Sequence, residues 1–130
     1  MIIDSSAIIA ILLDEEDSPV YARAIRDARE CYLSAATLVE ISAVIEHAHG
    51  PIVRRRFEDF MELGMIEIVP FDREQAEVAR DALRDYGRGS GHPARLNFGD
   101  TFAYALARSA RMPLLFKGND FSQTDIASAL

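Results

Sequence analysis

Short apolar runs alternate along this chain with stripes at helical spacing. Met1-Ile2-Ile3-Asp4 reads as a short buried strand ending on an acid. Ser5 to Leu13 reads as a helix apolar on several faces, which predicts burial. Ser18-Pro19 starts a second helix, with Ser18 as N-cap and Pro19 at the first helical position. Val20, Tyr21, Ala24, Ile25 and Ala28 continue it at helical spacing. Cys31-Tyr32-Leu33 is the second strand. Ser34 caps a helix whose apolar face includes Leu38, Ile41, Val44 and Ile45. Gly50-Pro51 breaks that helix and opens another, striped by Val53, Phe57, Phe60 and Met61 and stopped at Gly64.

Ile66 to Val69 is the third strand. Asp72 and Gln75 then stand at capping-box spacing ahead of Ala76, Ala79, Leu83 and Tyr86. Residues 87–95, glycine-rich, basic and free of acids, form a loop. Asn97 and Asp100 repeat the cap spacing before a helix over Phe98 to Ala110, with Phe102, Ala103, Leu106 and Ala107 inward. Leu114-Leu115-Phe116 is the fourth strand. This alternation predicts an α/β fold with a mainly parallel sheet, in one domain over residues 1–130.

Parallel sheets bind ligands beyond the carboxyl ends of their strands. That rule selects four acids. Asp4 follows the first strand, Glu40 lies in the helix after the second, and Asp120 comes shortly after the fourth. Asp100 sits in the first turn of the helix that leads into the fourth. Carboxylates sharing one cleft repel and raise each other's pKa. A hard divalent cation such as Mg2+ removes that cost and suits phosphoryl chemistry.

Charge and composition narrow the partners. The formal net charge is −7, from 21 acidic and 14 basic residues, the wrong sign for general attraction to nucleic acid. Local basic groups would have to offset it: Arg88, His92 and Arg95 in the loop, or the run Arg54-Arg55-Arg56, which reads more simply as a solvated helix face. One cysteine, Cys31, permits neither an internal disulfide nor a cysteine-rich zinc site. His47 and His49 lie on different faces of a helix and do not pair for a metal. The apolar run Ala7–Leu13 is bracketed by acids and is far short of about 20 residues, so the expectation is a soluble cytoplasmic protein with no membrane partner.

"IIDSSAI" at the start, Glu40 in "TLVEISAVIE", "LNFGDTFAYALA" around Asp100 and "PLLFKGNDFSQTDI" near the end resemble the PIN domain. More narrowly, they resemble the VapC toxins of type II toxin–antitoxin systems, from residue 1 to about 126 and in motif order. The resemblance implies an α/β/α sandwich and a Mg2+- or Mn2+-dependent endoribonuclease cutting structured RNA, such as transfer RNA or a ribosomal RNA loop. It also implies a VapB-type antitoxin whose tail reaches the acidic cleft, and a homodimer, for which the first two helices could supply an exposed apolar face.

The implied metal ligands and catalytic residues are Asp4, Glu40, Asp100 and Asp120, with Asp4 and Asp100 as principal ligands. Ser6, Arg88 and Arg95 make the substrate-side set, Ser6 being placed to orient the Asp4 carboxylate or a metal-bound water. One departure stands out: related sequences often carry an acid where this chain has Asn119, and many PIN domains carry one at Gly118. That motivates an alternative, a catalytically silent PIN-fold module that retains antitoxin binding. Asp4, Glu40 and Asp100 argue against it. A phospho-receiver reading of Lys117 and a haloacid-dehalogenase reading of Asp4 both fail, because Ser5-Ser6 stands where a further acid is needed.

Overall fold

A computed structural model describes residues 1–130. Four parallel strands, β1 (Ile2–Ile3), β2 (Tyr32–Ser34), β3 (Glu67–Val69) and β4 (Leu114–Leu115), form one sheet in the order β3-β2-β1-β4. The helices are α1 (Ser5–Leu12), α2 (Ser18–Asp27), α3 (Ala35–Ala48), α4 (Gly50–Glu62), α5 (Arg73–Tyr86) and α6 (Asp100–Ala110). A 3₁₀ turn, Phe121–Gln123, follows β4.

Strand alternation builds two cores from one sheet. Ile3 and Leu115 join Leu33 in a core with α1 to α4, while Ile2 and Leu114 face a second core with α5 and α6. This is an α/β/α sandwich, as the resemblance implies, built on the parallel sheet that the pattern predicts. The chain runs outward from β1 to β3 and then returns to place β4 on the other side of β1. Right-handed crossovers put helices of opposite travel on opposite faces, which accounts for the two layers. It also makes the gap between β1 and β4 the switch point where such folds open a crevice.

Local signals held with small shifts. Ser34 Oγ accepts the Ala36 N–H at 3.3 Å, as a cap should. Ser18 is not a cap: Asp17 occupies that place, with its carboxylate drawn off to Lys117 and Tyr21. Only half of the Asp72–Gln75 box forms. Asp72 Oδ1 accepts the Gln75 N–H at 2.9 Å, but the Gln75 side-chain oxygen accepts nothing, its amide group being turned to donate to the Pro70 carbonyl. The second strand begins at Tyr32 rather than Cys31 and β4 stops before Phe116, though both of these residues are buried. The last helix starts at Asp100 rather than Phe98, and Phe102 is only half-buried rather than turned into the core. Val44 lies exposed while Ile41 and Ile45 pack inward.

The arginine run is partly tied down. Arg54 pairs with Glu46, and Arg56 donates to the Leu12 carbonyl at 2.6 Å and to Asp14, pinning α4 to the end of α1. On the first two helices, Ile9 and Ile11 of α1 are half-buried. Ala7, Ile8, Ala10 and Leu12 of α1 are buried, and α2, through Val20, shows apolar surface beside Leu130. No helix is long and apolar enough to cross a membrane.

Candidate active site

Asp4 is placed by the end of β1 and serves as N-cap of α1. Its backbone N–H donates to the Leu115 carbonyl, so the strand pair fixes it. Its Oδ2 accepts the Ser6 N–H at 3.0 Å and the Ser6 hydroxyl at 2.5 Å. The other oxygen, Oδ1, is buried with no partner, and the residue is 1% exposed. Burial pushes the carboxyl above its usual range. The two Ser6 donors pull it back, and the Asp120 charge raises it further. Ser6 in turn accepts the Lys117 N–H at 2.9 Å, linking the loop after β4 to the Asp4 carboxylate.

Asp100 opens α6 through a reciprocal cap. Asn97 N–H donates to Asp100 Oδ2 at 2.6 Å, and Asp100 N–H donates to Asn97 Oδ1 at 3.0 Å. The sequence spacing predicts this pair, with aspartate in the glutamate position. Asp100 is 8% exposed. Burial raises its carboxyl to about 6, against the Asn97 N–H, with Asp4 and Asp120 adding repulsion and Arg88 some attraction. Glu40 reaches the same cleft from α3. Its carboxyl is raised to about 7, first by burial and then by the charges of Asp4 and Asp100, while the nearby Ser5 hydroxyl acts the other way. Its Oε2 is buried without a partner.

Gly99 explains how Glu40 fits. A Cβ on Gly99 would stand 2.0 Å from Glu40 Oε1, so the carboxylate lies where any side chain would be. Asp120 caps the 3₁₀ turn in an exposed position, near enough to Asp4 and Asp100 to raise both. Gly118 before it has φ +97°, a conformation L side chains rarely adopt, which gives a backbone reason for glycine at that position. Asn119 is exposed.

The substrate-side candidates divide. Arg88 is exposed, donates weakly to the Arg95 carbonyl, and attracts Asp100. Arg95 is exposed on a left-handed backbone, φ 52°. The single Ser6 proton is committed to Asp4. His92 is turned inward: its ring packs edge-on to Tyr86 at 4.8 Å and its Nδ1 accepts the Ala94 N–H. Lys117 points its amine away from the acids of the cleft, to Glu15 and Asp17. Sequence reasoning passed over Phe98, Gly99 and the Lys117 N–H. Only Gly99 left a trace, as a glycine directly before a candidate acid.

Two of these carboxylates keep an oxygen buried and unpartnered, and Asp4, Glu40 and Asp100 all have raised pKa values. Such groups are held at a cost unless a cation neutralises them. No group of three or more His, Cys, Asp or Glu side chains is gathered closely enough to hold a metal ion. An open pair of hard oxygen ligands still fits Mg2+ or Mn2+, since such ions keep several waters and need few carboxylates.

The PIN domain family matches residues 1–127. Ribonuclease VapC28 of Mycobacterium tuberculosis is 48% identical over 130 residues, covering 100% of this chain and 98% of that protein. The chain belongs to the VapC ribonucleases. Solved structures agree on the fold of this VapC family member. VapC20 of Mycobacterium tuberculosis, a toxin that cleaves the sarcin–ricin loop, superposes with a TM-score of 0.76 at 15% identity, covering 97% of this chain and 95% of that one. A toxin–antitoxin complex from Klebsiella pneumoniae does so with a TM-score of 0.70 at 16% identity, covering 99% and 97%. As a VapC ribonuclease, the chain carries its four candidate acids at the carboxyl edge of the sheet, around the switch between β1 and β4.

Proposed function

We propose that this VapC ribonuclease is a Mg2+- or Mn2+-dependent toxin that cuts structured RNA, transfer or ribosomal, and is neutralised by a VapB-type antitoxin. The observation that carries the metal is the buried Asp4 carboxylate, one oxygen held by Ser6 and the other without a partner. Asp4 and Asp100 would be the principal ligands. Glu40 and Asp120 would hold a second ion or manage the attacking water. When bound, the ion would supply positive charge for the scissile phosphate and lower the pKa of a water it holds.

The chain's own residues do the rest. Ser6 keeps Asp4 turned into the cleft, and the Asn97 N–H fixes Asp100. Glu40 would take a proton from the attacking water as general base. In-line attack then leaves a 5′-phosphate and a 3′-hydroxyl, with no need of a histidine or of the RNA 2′-hydroxyl. Arg88 and Arg95, exposed on the adjoining loop, supply phosphate contacts.

The test is cleavage of total cellular RNA by purified protein with Mg2+ or Mn2+, beside Asp4→Asn and Asp100→Asn. Discrete fragments that require metal and vanish in both variants are expected. No cleavage with either ion, from folded protein free of antitoxin, would overturn the assignment and leave the silent module.

A further inference from the structure

Lys117, in the loop after β4, is held at both of its ends, and they reach opposite ends of α1. Its backbone N–H donates to Ser6 Oγ at 2.9 Å, in the first turn of that helix. Its amine donates to Glu15 and to Asp17 Oδ1, the latter at 2.7 Å, in the turn between α1 and α2. Ser6 Oγ is also the atom that donates to Asp4 Oδ2. One residue therefore joins the acidic turn after α1 to the Asp4 carboxylate before it.

That turn is a fixed anchor. The Glu15 N–H donates to the Ala10 carbonyl at 3.1 Å, which ties it to α1. Arg56 reaches it from α4, donating to the Leu12 carbonyl and to Asp14 at 2.6 Å each. Asp17 Oδ2 accepts the hydroxyl of Tyr21, a buried core residue, at 3.2 Å. The turn carries four consecutive acids, Asp14 to Asp17, which repel one another. Arg56 pairs with one of them and Lys117 with two.

On the other side of Lys117 the chain leads to Asp120. Gly118 turns it with φ +97°, Asp120 caps the 3₁₀ turn, and Phe121 is buried against Phe116 at 5.2 Å between ring centroids. Asp120, whose charge reaches Asp4 and Asp100, thus sits between two fixed points, Lys117 and Phe121. The Lys117 amine is committed to two carboxylates and turned from the cleft, so it does not greet a phosphate there. Its side chain is 36% exposed, and ion pairs this open to water add little to stability. What the amine does fix is the place of its own backbone N–H and of the loop that follows.

We infer that Lys117 is a positioning residue for RNA cleavage: clamped to Glu15 and Asp17, it sets Ser6, through Ser6 the Asp4 carboxylate, and with them the start of the loop that carries Asp120. This rests on the metal-dependent ribonuclease reading above and adds a residue that reading leaves out. Without the amine the loop loosens, the Lys117 N–H leaves Ser6, and the hydroxyl loses the donor that fixes its direction onto Asp4. Metal affinity and the chemical step then weaken together, while the surface that meets RNA is unchanged.

Lys117→Met, Lys117→Arg and the double variant Glu15→Gln/Asp17→Asn test it beside wild type. Methionine keeps the backbone N–H without the charge, and the double variant removes the anchor while leaving Lys117 in place, so the test stands even if Lys117→Met does not fold. In both, kcat for Mn2+-dependent cleavage should fall about 10-fold at unchanged KM, and the Mn2+ dissociation constant in calorimetry should rise about 10-fold. In metal-free protein the Lys117 amide should exchange with deuterium faster in both, followed by NMR. Lys117→Arg should restore all three. Wild-type kcat, Mn2+ affinity and amide exchange in Lys117→Met and in the double variant would overturn the proposal. So would a raised KM in Lys117→Met beside a double variant that behaves as wild type, since the amine would then be meeting RNA phosphate. If wild type cleaves no RNA, the ribonuclease reading fails, and the Mn2+ affinities and amide exchange then confirm or overturn the clamp by themselves.

Discussion

Replacing Glu40 by glutamine should make the metal-free protein more stable at neutral pH. The Glu40 carboxyl stands at about 7 in the fold against an ordinary 4.5. Between those values the folded chain holds a proton that the unfolded chain has lost, so stability falls as pH rises through the window. At ~1.4 kcal/mol for each pH unit, the full cost above neutrality is about 3 kcal/mol. Below about pH 4 both states are protonated and the cost vanishes.

Glutamine keeps the shape and never ionises. The variant should therefore match wild type at about pH 4 and exceed it by about 3 kcal/mol at about pH 8, in chelator. For a chain of this length that is roughly 10 °C in melting temperature. The assay is thermal unfolding followed by circular dichroism across pH, with and without Mg2+ or Mn2+. Added ion should raise the wild-type midpoint at high pH more than that of the variant, because the ion is linked to the charge glutamine lacks. A variant less stable than wild type at both ends, or parallel pH curves for the two proteins, would refute the account of Glu40 as a buried, repelled carboxylate.

Two further substitutions separate the site from the fold. Gly99→Ala places a methyl where Glu40 Oε1 now lies, but the Gly99 backbone is helical, φ −64° and ψ −42°, and tolerates alanine. The flexible carboxylate yields first, so stability should change by less than about 1 kcal/mol while RNA cleavage falls at least ~10-fold, measured by melting and by initial rates. Ser6→Ala removes both the 2.5 Å donor to Asp4 and the acceptor for the Lys117 N–H. It should destabilise by about 1–3 kcal/mol in denaturant titration and weaken Mn2+ binding by ~10-fold or more in calorimetry, where Ser6→Thr recovers most of both.

Much of the site's identity was legible in the sequence because its signals are local. Asp4 stands out as an acid between an apolar strand and an apolar helix, and a capping carboxylate there needs only the next two residues. The Asn97–Asp100 pair is visible for the same reason, since both bonds close within one turn. The misreadings at Ser18 and Gln75 are small: the helix begins at Ser18, so Asp17 takes the cap position with its carboxylate drawn to Lys117, and the Gln75 amide turns to the Pro70 carbonyl.

By itself, then, the amino-acid order determined the alternating elements, the two-sided burial of Ile2 and Ile3, and the candidate acids. The tertiary structure decided how those acids meet. Asp4, Glu40, Asp100 and Asp120 converge only because the chain steps outward from β1 to β3 and returns beside β1, a choice made by crossover geometry and packing on both sheet faces. It also decided that Gly99 makes room for Glu40, that Phe98 stays in water beside them, and that Ser6 answers to Lys117 across 111 residues. Hydrophobic spacing and capping report a residue's own turn of backbone. Which side chain comes to rest against it from elsewhere depends on packing that no local pattern encodes.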